Sequence, residues 1–247
     1  MEWHNIAGLI STIALISPVI IIIAFRLIRY PQYIALFLYC LSAFTYNLMT
    51  EQYLVVSEDF QRTFGVVNNL MDAPLMLSFL TAFSTSKKQL RMMKVVIGLF
   101  LVFELVIIFL KGVTVPAIII VIGPGLILVF SFTLYFFIEN IKKSLMYPKF
   151  AGKALMASGV CFAYGCFAFL YVMYYIFNVP NSPYVFFIYF IISIIYCSLI
   201  SIGLVYESKR KRKLEELLHT RKELIKFFEE EEKSVGSEKP RNLWGLN

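Results

Sequence analysis

Polar side chains that could do chemistry gather near one end of the apolar segments of this sequence. Asn68 and Asp72 are four residues apart, so in a helix they share one face. A carboxylate inside an apolar span is costly unless it is paired, protonated or hydrated, so Asp72 and Glu104 are expected to face the interior of a helical bundle. The full set predicted for an outer-half polar site, with a pocket or coupling role, is Tyr46, Asn47, Glu51, Asn68, Asn69, Asp72, Glu104, Tyr171, Tyr189 and Tyr196. The set predicts either a pocket for a small ligand, ion or proton, or a hydrogen-bond network that holds helices together.

The sequence does not support a metal site, a nucleotide-binding motif or a catalytic nucleophile. Two histidines, His4 and His219, and four cysteines without a CxxC pair do not supply the converging ligands of a zinc site. No Walker A, GxSxG or Rossmann pattern occurs, and no nucleophile–base pair can be assembled. The last apolar segment has no lysine for a retinal Schiff base. We therefore predict a non-enzymatic protein without catalytic residues, metal or cofactor.

The elements that must position the polar set are apolar segments of membrane-spanning length. The chain has 247 residues, of which 59% are hydrophobic and 16% charged, and this composition excludes a soluble enzyme, a disordered chain and a disulfide scaffold. A spanning helix needs about 20 mainly apolar residues. Seven segments qualify: Ile6–Leu27, Tyr33–Leu48, Val66–Phe83, Met93–Leu110, Val115–Phe137, Ala154–Phe177 and Val185–Tyr206. The predicted fold is an all-α, polytopic bundle of seven transmembrane helices.

The basic residues predict the direction of the bundle in the membrane. All 23 Lys and Arg residues except Arg62 and Lys111 fall on one side of the predicted spans. The positive-inside rule then places the N-terminus outside and the C-terminus in the cytoplasm. The net charge of +7 is thus an orientation signal, and it does not argue for nucleic acid as a partner. The first expected partner is the lipid bilayer itself.

A charged segment after the last span predicts a cytoplasmic amphipathic tail helix. Its base is a run of five basic residues, which are expected to contact anionic lipid headgroups: Lys209, Arg210, Lys211, Arg212 and Lys213. An apolar stripe follows, which predicts contact with another protein subunit or with a second copy of this chain. The predicted partner-binding residues of the tail are Leu214, Leu217, Leu218, Leu224, Ile225, Phe228 and Trp244.

The expected organisation has three parts. Residues 1–206 form the transmembrane domain, residues 207–233 form the charged amphipathic helix, and residues 234–247 form a flexible tail. Within the membrane domain, Pro74 and Pro124 predict helix kinks. The small residues Ala157, Cys161 and Gly165 predict a stripe that lets a neighbouring helix approach closely.

Several short motifs carry a resemblance to known membrane proteins. They are the Ser17-Pro18 pair, the basic turn 26–31, the polar start 68–72 of the third span and the basic exit after Tyr206. With these motifs the chain resembles small, uncharacterised seven-helix bacterial inner-membrane proteins over about residues 5–207. The resemblance implies a receptor-like topology and supplies no catalytic residue.

Three functions fit the pattern, and they belong to different classes. The first is a receptor-like or regulatory protein whose outer-half pocket senses a ligand and whose tail helix engages a partner. The second is an accessory or structural subunit of a larger membrane protein complex, in which the polar set only holds helices together. The third is a small solute transporter or proton-coupled transporter, in which Asp72 and Glu104 would be the coupling groups.

Overall fold

Helices account for nearly all of the regular structure that a computed structural model of the protein describes. The backbone is described for residues 2–177 and 183–236, and side chains are described for residues 6–177 and 187–226. The helices are α1 (Glu2–Ala24), α2 (Pro31–Thr50), α3 (Glu58–Leu80), α4 (Lys87–Lys111), α5 (Val115–Met146), α6 (Ala151–Tyr171) and α7 (Pro183–Gly236). Within these ranges, seven helices are long and apolar enough to cross a membrane. The all-α, seven-span prediction is confirmed to this extent, and it indicates a multi-pass membrane protein.

Local sequence signals explain where several of the helices begin and end. Pro31 stands in the first turn of α2, where its missing N–H costs no hydrogen bond. Ser57 and Ser86 precede α3 and α4, and each hydroxyl accepts a hydrogen bond from a backbone N–H of the first turn. Helix α4 ends before Gly112, whose φ of 70° favours glycine. The interior prolines Pro74 and Pro124 leave α3 and α5 continuous.

The chain divides into two units, residues 1–207 and residues 208–247. In the first unit, consecutive helices pack as neighbours, and α3 also packs along α5. Helix α6 lies close to the part of α7 in this unit. The distance is so short that a Cβ on Gly203 would stand 2.8 Å from the carbonyl oxygen of Gly152. The second unit is helical over its described part, where Arg212 pairs with Glu216 at 3.3 Å.

The core of the first unit is apolar and rich in aromatic rings. Tyr33, Phe79, Phe83 and Phe136 are fully buried and form a continuous row of ring contacts between α2, α3 and α5. Near this row the ammonium group of Lys153 donates a hydrogen bond to the carbonyl oxygen of Ala82 at 2.6 Å. The basic loops lie at this end of the bundle, and most of the polar set lies toward the other end.

Candidate functional site

The Asp72 carboxylate is the centre of the polar set. It lies on α3, slightly past the middle of the helix. Tyr164 of α6 is fully buried and donates its hydroxyl to the two carboxylate oxygens, at 2.9 and 3.0 Å. The Tyr39 hydroxyl of α2 faces the same carboxylate. One charged group therefore links three helices, and its hydrogen-bond partners are phenolic hydroxyls.

A cavity of about 260 Å³, here called the Asp72 cavity, lies beside this carboxylate. Tyrosine rings and two asparagine amides make up much of its wall. Its lining residues are Tyr39, Ala43, Asn68, Asn69, Asp72, Ile122, Leu126, Phe167, Leu170, Tyr171, Tyr174, Tyr175 and Tyr189. Tyr175 and Tyr189 are about half exposed, so the cavity is accessible from the surface of the bundle.

A second cavity of about 310 Å³, here called the Tyr196 cavity, adjoins the first. It is lined by Leu15, Tyr39, Ala43, Tyr46, Asn47, Thr50, Asn68, Asn69, Phe167, Tyr189, Phe190, Ser193 and Tyr196. Tyr196 is buried, and among the described atoms its hydroxyl finds no hydrogen-bond partner. A buried hydroxyl without a partner is costly, so this group is available to a molecule that enters the cavity.

Two of the asparagine amides are held in place by hydrogen bonds. Asn47 of α2 donates from Nδ2 to the Thr12 hydroxyl of α1 at 2.7 Å. Asn69 donates from Nδ2 to the carbonyl oxygen of Gly65, one turn earlier in α3, at 2.8 Å. Because their orientations are fixed, these amides present defined polar groups to the cavities.

A short π-helical turn, Val172–Ile176, follows α6 and shapes one wall of the Asp72 cavity. Tyr171, just before this turn, donates its hydroxyl to the carbonyl oxygen of Ile119 at 2.9 Å. Its ring lies so close to Gly123 of α5 that a Cβ there would stand 2.9 Å from the hydroxyl oxygen. A π turn shifts the register of the side chains that follow it, and such turns are frequent at functional sites. The sequence did not reveal this turn, although three tyrosines crowd into residues 171–175.

Most of the predicted polar set meets at the two cavities, and two acidic residues lie elsewhere. Tyr46, Asn47, Asn68, Asn69, Asp72, Tyr171, Tyr189 and Tyr196 each line at least one of them. Glu51 lies against Gly8 of α1, outside both linings. Glu104 also lines neither cavity. It is buried on the face of α4 that carries Met93 and Phe100, and its Oε2 has no hydrogen-bond partner among the described atoms.

Two residues that hold the centre of the site were not identified from the sequence. Tyr39 and Tyr164 lie in the middle of apolar segments, where the sequence analysis treated tyrosine as part of the span. A buried tyrosine usually finds a partner for its hydroxyl. The available signal was therefore a tyrosine at mid-span, which needs a polar partner on another helix.

The five basic residues at the base of the tail lie on α7, in the second unit, and they are not equally exposed. Lys209, Arg212 and Lys213 are exposed, whereas Arg210 and Lys211 are partly buried. Helical spacing explains the difference, because consecutive residues of a helix point to different faces. The predicted contact of the five residues with anionic headgroups stays a prediction.

The apolar stripe of the tail follows this basic run on α7. Leu214, Leu217, Leu218, Leu224 and Ile225 are about half exposed. The side chain of Phe228 and all of Trp244 lie outside the described residues, as does the predicted flexible tail beyond residue 236.

A larger cavity, of about 600 Å³, lies at the opposite end of the bundle. It is formed by the start of α4 and the second half of α5, and its lining includes Lys88, Gln89, Ser131 and Tyr135. No carboxylate is among its described lining residues. It therefore differs in charge from the Asp72 cavity and shares no residue with it.

The groups around Asp72 can hold a small molecule by hydrogen bonds and by contact with aromatic rings. Within the described residues, no three His, Cys, Asp or Glu side chains converge as a metal site would require. The groups that line the two cavities can donate and accept hydrogen bonds and offer aromatic faces to a small molecule. Comparisons with protein-family models, with curated proteins and with solved structures give no match for this chain.

Proposed function

We propose that this chain is a non-enzymatic, receptor-like or regulatory protein of a bacterial inner membrane, akin to the small seven-helix proteins that it resembles. A small ligand would bind in the adjoining Asp72 and Tyr196 cavities. The observation that carries the proposal is that these cavities share Tyr39, Ala43, Asn68, Asn69, Phe167 and Tyr189, and that Asp72 lies in the wall. A polar, partly exposed cavity inside an apolar bundle is a typical ligand site.

The distribution of charge supports an outward-facing site. The basic loops lie at the end of the bundle opposite to the two cavities, and the positive-inside rule assigns that end to the cytoplasm. The N-terminus would then be outside, and the ligand would reach the cavities from the outer side. The first turn of α3, at the end away from the basic loops, carries the acidic residues Glu58 and Asp59.

The tail helix supplies a route for communication with the cytoplasm. We propose that its basic run contacts anionic headgroups, mainly through the exposed Lys209, Arg212 and Lys213. The apolar stripe would bind a partner protein or a second copy of the chain. The half-exposed leucines at positions 214, 217 and 218 support this, because an apolar stripe on a polar helix is usually covered by another surface.

The same exposed stripe also favours the alternative of an accessory subunit in a larger membrane complex. Native purification separates the two functions. A stoichiometric partner that stays bound after the Asp72→Asn substitution would favour the subunit, whereas a monomer or homodimer that responds to a solute would favour the receptor.

A cavity-filling substitution tests the ligand site directly. Ala43 lines both cavities, so Ala43→Phe should fill the space that a ligand needs. Ala24 is exposed at the end of α1, and Ala24→Phe is the matched control. In a thermal-shift screen of organic cations, anions, sugars and neutral solutes, we expect at least one compound to raise the Tm of the wild type and of Ala24→Phe, and not that of Ala43→Phe. A screen without any such compound would contradict the proposal.

The Asp72→Asn substitution separates a ligand site from a purely structural network. If the site binds a ligand, the variant should fold and fail to complement the phenotype of a deletion strain. If the network only holds helices together, the variant should lose stability, and any residual folded protein should complement fully.

A further inference from the structure

The two cavities contain one negative charge and no described positive charge. Asp72 is the only charged side chain among the described lining residues of either cavity, and none of those residues is Lys, Arg or His. In the apolar interior of a helical bundle, a carboxylate without a cationic partner is costly in free energy. The surroundings of Asp72 therefore favour a molecule that brings a positive charge.

The tyrosine hydroxyls do not use up the hydrogen-bonding capacity of this carboxylate. A carboxylate has about four lone-pair positions, and the hydroxyls of Tyr164 and Tyr39 donate at most two hydrogen atoms to it, that of Tyr164 at 2.9 and 3.0 Å from the two oxygens. Asp72 is partly exposed and lines the cavity, so a ligand can reach its remaining lone pairs. The Tyr164 bond fixes the carboxylate in place and does not cancel its charge.

Six aromatic rings line much of the Asp72 cavity. They are Tyr39, Phe167, Tyr171, Tyr174, Tyr175 and Tyr189. Phe167 and Tyr189 stack with centroids 5.2 Å apart, and the rings of Tyr171 and Tyr175 are 5.0 Å apart. Aromatic faces attract cations, most strongly where the site is shielded from water. A carboxylate beside several ring faces is a combination that recognises ammonium groups.

Other ligand classes fit these features less well. An organic anion would be repelled by Asp72 and would meet no described cation in the walls. A divalent metal ion needs about six oxygen ligands, usually with several carboxylates, and only one carboxylate is present among the described lining residues. A neutral polyol could use the amides and hydroxyls, but it would leave the Asp72 charge without a counterion.

We propose that the Asp72 cavity binds the ammonium group of a small organic amine or quaternary ammonium ion. This inference rests on the proposed ligand-binding function and names the chemical class of the ligand. The ammonium group lies against Asp72 and the surrounding rings. The rest of the ligand extends toward the Tyr196 cavity, where the Tyr196 hydroxyl is a free hydrogen-bonding group among the described atoms. Volumes of about 260 and 310 Å³ suit a small molecule.

The test compares cations with neutral molecules of the same shape. The full-length protein, in nanodiscs at constant ionic strength, is titrated calorimetrically with choline and with its neutral isostere 3,3-dimethylbutan-1-ol. A second pair consists of 3-methylbutylamine and 3-methylbutan-1-ol. We expect at least one cation to bind at least about 10-fold more tightly than its neutral partner, because only the cation pairs with Asp72.

Two carboxylate variants locate the effect. Asp72→Asn should weaken binding of the cation at least about 10-fold, because the amide removes the charge and keeps the size. Glu104→Gln removes another buried carboxylate that lies outside both cavities, and it should leave the affinity within about twofold. Equal losses in the two variants would overturn the assignment to Asp72. Circular dichroism and Tm measurements on both variants establish that they are folded.

The outcomes distinguish this inference from the proposed function. If cation and isostere bind equally and Ala43→Phe abolishes both, the cavity binds ligands and the inference about charge is overturned. If neither cation binds, while an anion, a sugar or a neutral solute gives a shift that Ala43→Phe removes, the inference fails and the proposed function stands. If no solute of any class gives such a shift, both are contradicted.

Discussion

At the scale of single residues, the Asp72 carboxylate is held by phenolic hydroxyls from α2 and α6 rather than by a cation from the protein. Tyr164 is the anchor, because it is fully buried and reaches both carboxylate oxygens. Hydrogen bonds to charged groups contribute more to stability than bonds between neutral groups. The anchor therefore stabilises the bundle and fixes the direction in which Asp72 faces the cavity.

Removal of the Tyr164 hydroxyl should measure the strength of this anchor. Tyr164→Phe is expected to lower the free energy of unfolding by about 1–3 kcal/mol, because it leaves the carboxylate without its buried donor. Tyr135→Phe is the control, since the Tyr135 ring is more than half exposed. The measurement is reversible unfolding of the purified protein in mixed micelles.

A double-mutant cycle identifies the cause of that loss. In the Asp72→Asn background, Tyr164→Phe should cost about 1 kcal/mol less than in the wild type, because the donor no longer faces a charge. Equal costs in both backgrounds would show that the Tyr164 hydroxyl stabilises the protein through some other contact.

At the scale of elements, α6 and the membrane-spanning part of α7 approach each other through glycines. A Cβ on Gly203 would stand 2.8 Å from the Gly152 carbonyl oxygen, and one on Gly159 would stand 3.0 Å from the Cβ of Leu199. The predicted stripe of small residues on α6 is used differently, since Gly165 faces the Phe130 ring of α5. Close packing of this kind is a main source of helix association in membranes.

A pair of glycine-to-alanine substitutions tests this packing. Gly203→Ala should destabilise the protein by about 1–3 kcal/mol, because the new methyl group meets a backbone carbonyl that cannot move aside cheaply. Gly98→Ala on α4 meets nothing within 4 Å and should be neutral or stabilising by up to about 1 kcal/mol, because alanine favours the helix. The measurement is the free energy of unfolding of each variant, compared with that of the wild type. Equal effects would show that α6 and α7 are not in tight contact at Gly203.

At the scale of the whole molecule, the membrane domain carries its basic loops at one end, and the Asp72 and Tyr196 cavities lie toward the other end. The row of buried rings from Tyr33 to Phe136 lies nearer the basic loops. Large apolar side chains remain exposed on the outside of the bundle, such as Phe109 at 90% and Leu99 at 65%. In a membrane those side chains face lipid, so the asymmetry of the molecule runs along the membrane normal.

The proposed orientation is tested by labelling single cysteines in intact cells. Val55 and Leu145 are 89% and 84% exposed and lie at opposite ends of the bundle. In a background without the four native cysteines, a membrane-impermeant maleimide should label Val55→Cys in intact cells, and should label Leu145→Cys only after permeabilisation. The reverse pattern would invert the bundle and place the cavities on the cytoplasmic side.

Local patterns in the sequence predict seven apolar helices of membrane-spanning length, their approximate limits and the segments in which the basic residues gather. These properties depend on runs of neighbouring residues, since a span is recognised by its own length and apolar character. The sequence also identified most of the polar residues that line the cavities, because polar side chains are rare inside spans and therefore conspicuous.

Which of these residues come into contact depends on how the helices pack against one another. Asp72 and Tyr164 are 92 positions apart, and their contact depends on how α3 and α6 are rotated about their axes. Such rotations depend on close packing between helices, as at the glycines of α6 and α7, and apolar periodicity does not specify them. Because the sequence does not reveal these rotations, the sequence analysis placed Glu104 in the same polar set as Asp72. In the structure, Glu104 lies on the buried face of α4 together with Met93 and Phe100, and it lines neither cavity.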